Sequence, residues 1–190
     1  MVHSIKVATA AIFLTVGSAS AQIDLTPKDT FYEVEGIRAP NVSFRNGAQD
    51  VTYSPPGNWV LSGGGQKLSL TPKDKIQAGA TISVLPTREA PPAATEENLK
   101  LYTEVASKLL PQDATKIEVI EAIVSPLQIS GRPMIEVTLA YVFFGQQFRM
   151  NVLFMPRAKE ELRFQMSART SDYPEIYKAF RASLFSMQGL

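Results

Sequence analysis

Cysteine is absent from this 190-residue chain, and histidine occurs once, as His3. The absence of cysteine excludes a disulfide that would supplement the core, and it excludes thiolate nucleophiles and metal ligands. Because His3 lies in a segment that we expect to be removed, the rest of the chain offers no imidazole either. Ser-His-Asp and Cys-His catalytic sites, and zinc sites built on imidazole or thiolate, are thereby excluded.

A long hydrophobic run is also missing. The uncharged run at residues 7–16 follows Lys6, and it is shorter than the about 20 apolar residues that a membrane-spanning helix needs. Residues 1–21 end in Ala19-Ser20-Ala21, which is the small-x-small pattern of a signal-peptide cleavage site. A retained membrane anchor is the alternative, and the length of the run disfavours it. We predict cleavage after Ala21 and a periplasmic or secreted protein with no membrane anchor, since no cysteine is present to carry a lipid.

The chain has no excess of basic charge. It contains 19 Lys and Arg residues and 18 Asp and Glu residues, and Lys6 is the only one of these within residues 1–21. The processed chain would therefore have 18 of each sign. Binding to nucleic acid usually requires a clear basic excess, so we expect no nucleic-acid partner.

Motifs for phosphate and metal binding are missing as well. The glycines at 63–65 are not followed by the Gly-Lys-Ser/Thr ending of a P-loop, so they predict a hairpin turn. The sequence has no Asp-x-Asp-x-Asp-Gly calcium loop. We therefore expect no cofactor and no metal site.

Three consecutive segments, 135–144, 147–154 and 162–169, alternate apolar and polar residues and predict an antiparallel meander. Gly145-Gln146 is the predicted turn between the first two segments. Maximal apolar matching pairs Phe143 with Phe148 in the first hairpin. In the second hairpin it pairs Phe154 with Leu162.

Two amphipathic helices are predicted, one after Thr95 and one from Asp172, where Pro174 and Glu175 suit a helix start. Residues 22–41 have no sustained period and predict a loosely held N-terminal arm with one short strand. Residues 42–190 then form a single α+β domain. We expect a mainly antiparallel β-sheet with both helices packed on its apolar face, and Trp59 as a core residue.

The order of elements resembles the Mog1/PsbP-like superfamily, including its exported bacterial DcrB-like members. The resemblance covers roughly residues 42–187 and depends on Pro56-Gly-Asn-Trp59 and on the closing helix that begins at Tyr173-Pro174-Glu175. It implies an antiparallel sheet with packed helices, used as an accessory or binding module, with no catalytic motif. The missing lipobox cysteine separates this chain from the lipoprotein members.

The polar side of the meander is the predicted ligand-binding surface. It is expected to combine three arginines with three amides and to prefer anions: Arg149, Arg163, Arg169, Asn151, Gln165 and Gln147. The alternatives are an ordinary solvated sheet face and a face neutralised by the acidic N-terminal arm. No catalytic residue is assigned, because no pair of carboxylates is placed to share a site.

Two functions are compatible with these features. The first is an exported non-enzymatic binding or accessory module for an envelope protein partner or a small anionic ligand. The second is a hydrolase that works through carboxylates, without histidine or cysteine. A pocket holding two carboxylates, one with a raised pKa, would distinguish the hydrolase from the binding module.

Overall fold

The computed structural model describes residues 23–190, so the predicted signal peptide lies outside the described residues. The described part folds into ten strands, one short 3₁₀ turn and two α-helices: β1 Ile23–Val34, β2 Ile37–Asn46, β3 Gln49–Tyr53, β4 Trp59–Gly64, β5 Lys67–Pro72, β6 Gly79–Pro86, the 3₁₀ turn Glu96–Asn98, α1 Leu99–Ser107, β7 Thr115–Val124, β8 Ile135–Phe143, β9 Gln146–Pro156, β10 Glu160–Arg169 and α2 Tyr173–Leu184.

The strands form two antiparallel sheets. β1, β2 and β3 make a three-stranded sheet in chain order, and the other seven strands make a sheet of order β4-β5-β6-β10-β9-β8-β7. The backbone N–H of Leu25 donates to the carbonyl of Gly65 at 2.7 Å and links the two sheets. The α+β class with mainly antiparallel sheet, expected from the sequence, is confirmed.

The prediction of a loose N-terminal arm over residues 22–41 is wrong for the described residues. β1 and β2 pair from Ile23 opposite Asn46 to Val34 opposite Ile37. Ile23 and Leu25 are buried in the main core. The sequence marks β1 at its two ends, by the alternation of Ile23 and Leu25 and by the short strand predicted within the arm at residues 31–34, and the polar residues between them conceal that both belong to one strand.

The long sheet is apolar on both faces, and each face carries one helix. α2 packs with the three-stranded sheet on one face, which we call the α2 face, against side chains such as Phe164 and Met155. α1 packs on the opposite face, the α1 face, against side chains such as Val137 and Phe154. The expectation that both helices cover one face is therefore corrected: the sheet has two apolar faces.

The register of β9 and β10 explains this arrangement. Leu162 pairs with Met155 and not with Phe154 as predicted, and a shift of one residue moves every side chain of β10 to the other face. The sequence pattern is ambiguous here because β9 is apolar at four successive positions, 152–155, all of which are buried. Alternation therefore cannot fix the register of this pair.

The β8–β9 hairpin differs from the prediction by two residues, which leaves the faces unchanged. Phe143 pairs with Gln146, so the turn consists of Phe144 and Gly145 and not of Gly145-Gln146. Both turn residues have positive φ, 47° and 74°, as in the two-residue type I′ turns that match the twist of a hairpin.

The closing helix is held against the core by aromatic packing. Trp59 is buried, as predicted, and its ring stacks on that of Phe180 with centroids 6.2 Å apart. Phe180 shares its core with Phe164, whereas Tyr141 and Met150 lie on the α1 face. Asp172 starts α2 without a side-chain cap and pairs instead with Lys75 at 2.9 Å.

Candidate functional site

The six predicted ligand-binding residues do not share a surface. Gln147, Arg149 and Asn151 of β9 lie on the α2 face, beside Val142, Ala140 and Thr138 of β8. Arg163, Gln165 and Arg169 of β10 pair with Phe154, Val152 and Phe148 and lie on the α1 face. The one-residue register shift separates the two sets, so the single polar surface expected from the sequence is not formed.

The residues from β10 are engaged on the α1 face. Arg163 pairs with Glu161 at 2.9 Å, and its guanidinium lies over the Phe154 ring, 5.3 Å from the centroid. Gln165 donates to the Met150 sulfur at 3.2 Å. Arg169 donates through Nε to Gln77 Oε1. Among residues 23–190, no carboxylate forms an ion pair with Arg169.

On the α2 face, Asn151 belongs to a buried polar cluster around Glu136. The Glu136 side chain is only 2% exposed, and both carboxylate oxygens accept hydrogen bonds. Arg181 Nη1 donates to both oxygens at 2.7 Å, and Tyr177 and Ser125 donate through their hydroxyls at 2.6 and 2.7 Å. Asn151 Nδ2 donates to Glu136 Oε1 at 3.0 Å.

These contacts keep Glu136 ionised. Burial by itself would raise the pKa of Glu136, but hydrogen bonds from Arg181, Tyr177 and Ser125 and the charge of Arg181 outweigh it and lower the pKa below its ordinary value. A carboxylate that is ionised and surrounded by donors is a poor general base. Since Tyr177 and Arg181 both belong to α2, the Glu136 cluster fastens α2 to the sheet.

A second feature is the end of the molecule formed by the β8–β9 turn, which we call the aromatic end. Phe144 and Phe143 have ring centroids 4.3 Å apart, Phe143 meets Phe148 edge-on at 6.3 Å, and Phe148 stacks on Tyr141 at 5.6 Å. A cleft of about 320 Å³ opens beside these rings, with Gln77, Pro111 and Gln146 completing its lining.

Two large apolar side chains of the aromatic end project into solvent. Phe144 is 80% exposed, and Ile76 is fully exposed in the neighbouring loop. Ile76, Gln77 and Arg169 line an adjoining cleft, so a cationic side chain lies beside the apolar residues. Sequence reasoning missed this arrangement, although the pair Phe143-Phe144 directly before Gly145 is a detectable signal.

The conformation of Phe144 is unusual for its residue type. Positive φ is uncommon for residues other than glycine, asparagine and aspartate, and a bulky aromatic residue there is an outlier. Asn-Gly suits a type I′ turn better than Phe-Gly does. Phe144 also contributes little to the core, because most of its side chain is exposed. The aromatic ring is therefore present at the tip at some cost to the turn.

No helix among the described residues is long and apolar enough to cross a membrane. Within residues 23–190, no group of three or more histidine or acidic side chains is arranged to hold a metal ion.

The comparisons with known proteins concern the fold. No family model and no curated protein matches the chain. Among solved structures, the chain is similar to PA94 of Pseudomonas aeruginosa, a protein of unknown function, with 13% identity, a TM-score of 0.50 and coverage of 85% of this chain and 97% of that one. It is also similar to the PsbP protein (CyanoP) of Synechocystis, with 11% identity, a TM-score of 0.49 and coverage of 92% and 96%. At 13% identity, the likeness to PA94 is one of fold alone.

Proposed function

We propose that this protein is an exported, non-enzymatic accessory module that binds a protein partner through its aromatic end. The partner presents an apolar side chain, which enters the cleft beside Phe144 and Phe148, and a neighbouring carboxylate, which pairs with Arg169. The exposed Phe144 ring at positive φ carries the proposal, because a local cost at an exposed position is typical of functional residues.

The composition of the aromatic end supports a protein partner. Binding hot spots are enriched in aromatic residues and arginine around a desolvated centre, and the aromatic end combines four aromatic side chains with Arg169. The amides of Gln77 and Gln146 line the cleft and can pair with the backbone of a bound segment. A volume of about 320 Å³ is at the lower limit of ligand pockets, which suits one or two side chains.

A membrane surface fits this end less well. Loops that bind anionic membranes combine exposed apolar residues with a basic surround. Here Asp74 lies two residues from Ile76 and is exposed, and it lines the same cleft as Arg169. Lys75, between them in the chain, is already paired with Asp172 at 2.9 Å.

The exposed edge strand β7 is also a less suitable docking surface, although Ile117, Val119 and Ile120 are exposed there. Its pairing with β8 is interrupted by register shifts at 115–118 and 119–121. Such bulges, together with charged residues, are devices by which proteins prevent an edge strand from pairing with another chain. A partner strand added to β7 would meet these irregularities along its length.

The hydrolase alternative finds no support at the Glu136 cluster, where a carboxylate is buried. A general acid needs a raised pKa at neutral pH, and the pKa of Glu136 is lowered. Its oxygens are occupied by donors from the sheet, the loop at Ser125 and α2. We therefore favour the binding module.

Site-specific photocrosslinking tests the proposal. The photoreactive residue p-benzoylphenylalanine is placed at position 144 or 76, and at position 185 as the matched control. Phe185 is a phenylalanine that is 66% exposed at the end of α2. In the native envelope fraction we expect one discrete protein adduct from positions 144 and 76 and none from position 185.

The adduct is then reproduced with the purified partner, and the crosslinked peptide is identified. An apolar residue flanked by Asp or Glu at the crosslink agrees with the proposal. Equal crosslinking at all three positions, or recovery only of lipid adducts at position 144, would overturn it. Sedimentation with vesicles of phosphatidylcholine and phosphatidylglycerol separates the lipid outcome, because a protein-binding module stays in the supernatant.

A further inference from the structure

A second cleft lies on the α2 face, at the same end of the β8–β9 hairpin but on the other side of the sheet. Its volume is about 310 Å³, and Ala140 and Val142 of β8 form part of its lining. The polar side chains around it come from three elements: Lys116 and Glu118 of β7, Gln147 and Arg149 of β9, and Thr170 after β10. We call it the Arg149 cleft.

Arg149 has a buried donor that residues 23–190 leave without a partner. Its guanidinium lies 5.7 Å from the centre of the Tyr173 ring, which holds the side chain in place. The Nε atom is buried and has no hydrogen-bond partner among residues 23–190. A buried donor without a partner is rare in native proteins.

A local irregularity of β7 brings a second cation to the cleft. Lys116 has a φ of 49°, and the register between β7 and β8 shifts between Thr115 and Glu118. A bulge of this kind re-aims side chains next to binding sites, and Lys116 lines the cleft. Within the described part of the chain, neither Lys116 nor Arg149 forms an ion pair.

We infer that the Arg149 cleft binds a small soluble ligand that carries a carboxylate or phosphate group. The anion pairs with the guanidinium of Arg149 and the ammonium of Lys116, and the Gln147 amide and the Thr170 hydroxyl supply further donors. Glu118 adds one carboxylate to the lining, so the cleft favours a ligand with a hydroxyl or amino group beside its anionic group. This inference goes beyond the proposed protein partner and does not depend on it.

Titration with three simple probes tests the inference: acetate, glycolate and inorganic phosphate, at constant ionic strength maintained with chloride. Backbone amide shifts are followed by NMR in the chain starting at Gln22. We expect saturable shifts confined to residues near 116–118, 140–142, 147–149 and 170. Glycolate should bind more tightly than acetate, because its hydroxyl can donate to Glu118.

Two variants make the test specific. Arg149→Gln and Lys116→Asn each remove one cation, and asparagine tolerates the positive φ at position 116; each should weaken binding by about tenfold or more. Lys67→Gln, an exposed cation at the start of β5 and far from β7 in the strand order, is the control and should bind like the wild type. If Arg149→Gln unfolds the chain, as a thermal melt would show, Lys116→Asn alone decides.

Equal affinity in wild type and both cleft variants, or shifts scattered over exposed cations such as Lys67 and Arg45, would overturn the inference. The other source of such an anion is a phospholipid headgroup. Sedimentation with phosphatidylglycerol vesicles that depends on Arg149, without saturable binding of free probes, would also overturn the assignment to a small soluble ligand.

Discussion

Replacing Arg181 by methionine should destabilise the protein strongly, because it leaves the Glu136 carboxylate buried without its cation. The Glu136 side chain is 2% exposed and that of Arg181 is 21% exposed, so little water can replace the lost partner. Breaking a buried ion pair on one side costs about 3–5 kcal/mol. Since hydrogen bonds from Tyr177, Ser125 and Asn151 remain, we expect about 3 kcal/mol, the lower end of this range.

A double-mutant cycle separates this effect from lost packing. Urea unfolding at pH 7 is measured for wild type, Arg181→Met, Glu136→Gln and the double variant. The losses of unfolding free energy in the two single variants should together exceed the loss in the double variant by at least about 1.5 kcal/mol, because removing both charges leaves no unpaired ion. If the two single losses add up to the double-variant loss to within about 0.5 kcal/mol, the coupling is refuted.

The pH dependence gives a second check on the same pair. The folded-state pKa of Glu136 is lowered, so its contribution to stability is present above the unfolded pKa of about 4.3 and is lost as the pH falls through the folded value. Without Arg181, the strongest interaction that lowers the pKa of Glu136 is lost, while burial still raises it. The difference in unfolding free energy between wild type and Arg181→Met should therefore narrow between pH 7 and pH 4.

An exposed pair provides the control for the cycle. Arg45 and Asp50 lie 3.4 Å apart with side chains that are 52% and 61% exposed, and such pairs contribute little because water screens them. Arg45→Met should change the unfolding free energy by less than about 1 kcal/mol and show no comparable narrowing at low pH. A loss of unfolding free energy as large as that of Arg181→Met would mean that burial does not determine the cost of breaking an ion pair.

Three further predictions concern the core, the aromatic end and processing. Phe180→Ala should cost about 3–5 kcal/mol in urea unfolding, because the buried ring stacks on Trp59; a loss below about 1 kcal/mol would contradict the packing described. Phe144→Asn should leave the thermal midpoint unchanged or raise it, because Asn-Gly is the favoured type I′ sequence; a clearly lower midpoint would show that the ring supports the fold. Intact-mass measurement of the exported protein should show cleavage between Ala21 and Gln22, and a mass that includes residues 1–21 would contradict removal of a signal peptide.

The sequence predicted most elements but not how they share the two faces of the sheet. Alternation over 135–143 and the helix start near Tyr173 are strong local signals, and the structure has β8 and α2 there. The sequence does not determine the register between β9 and β10, because residues 152–155 are all apolar and fit either face. Only the tertiary requirement to cover both faces, one with each helix, decides it.

The same ambiguity determined which site residues could be foreseen. Arg149 and Gln147 were expected to line a binding surface, and both line one cleft; whether it binds an anion stays a prediction. Arg163 and Gln165 were assigned to that surface only through the wrong register. The partners of Glu136 come from α2, from the Ser125 loop and from β9, up to 45 residues away in sequence, so no local pattern could reveal the cluster.

The affinity of the crosslinked partner for two matched variants tests the role of the aromatic end most directly. Phe144→Asn and Phe185→Asn each remove one exposed phenylalanine, the first at the β8–β9 turn and the second at the end of α2. Isothermal titration should show at least about a tenfold loss for Phe144→Asn, as for an aromatic hot spot, and wild-type affinity for Phe185→Asn. Equal affinity of both variants and the wild type would contradict a partner site at the aromatic end.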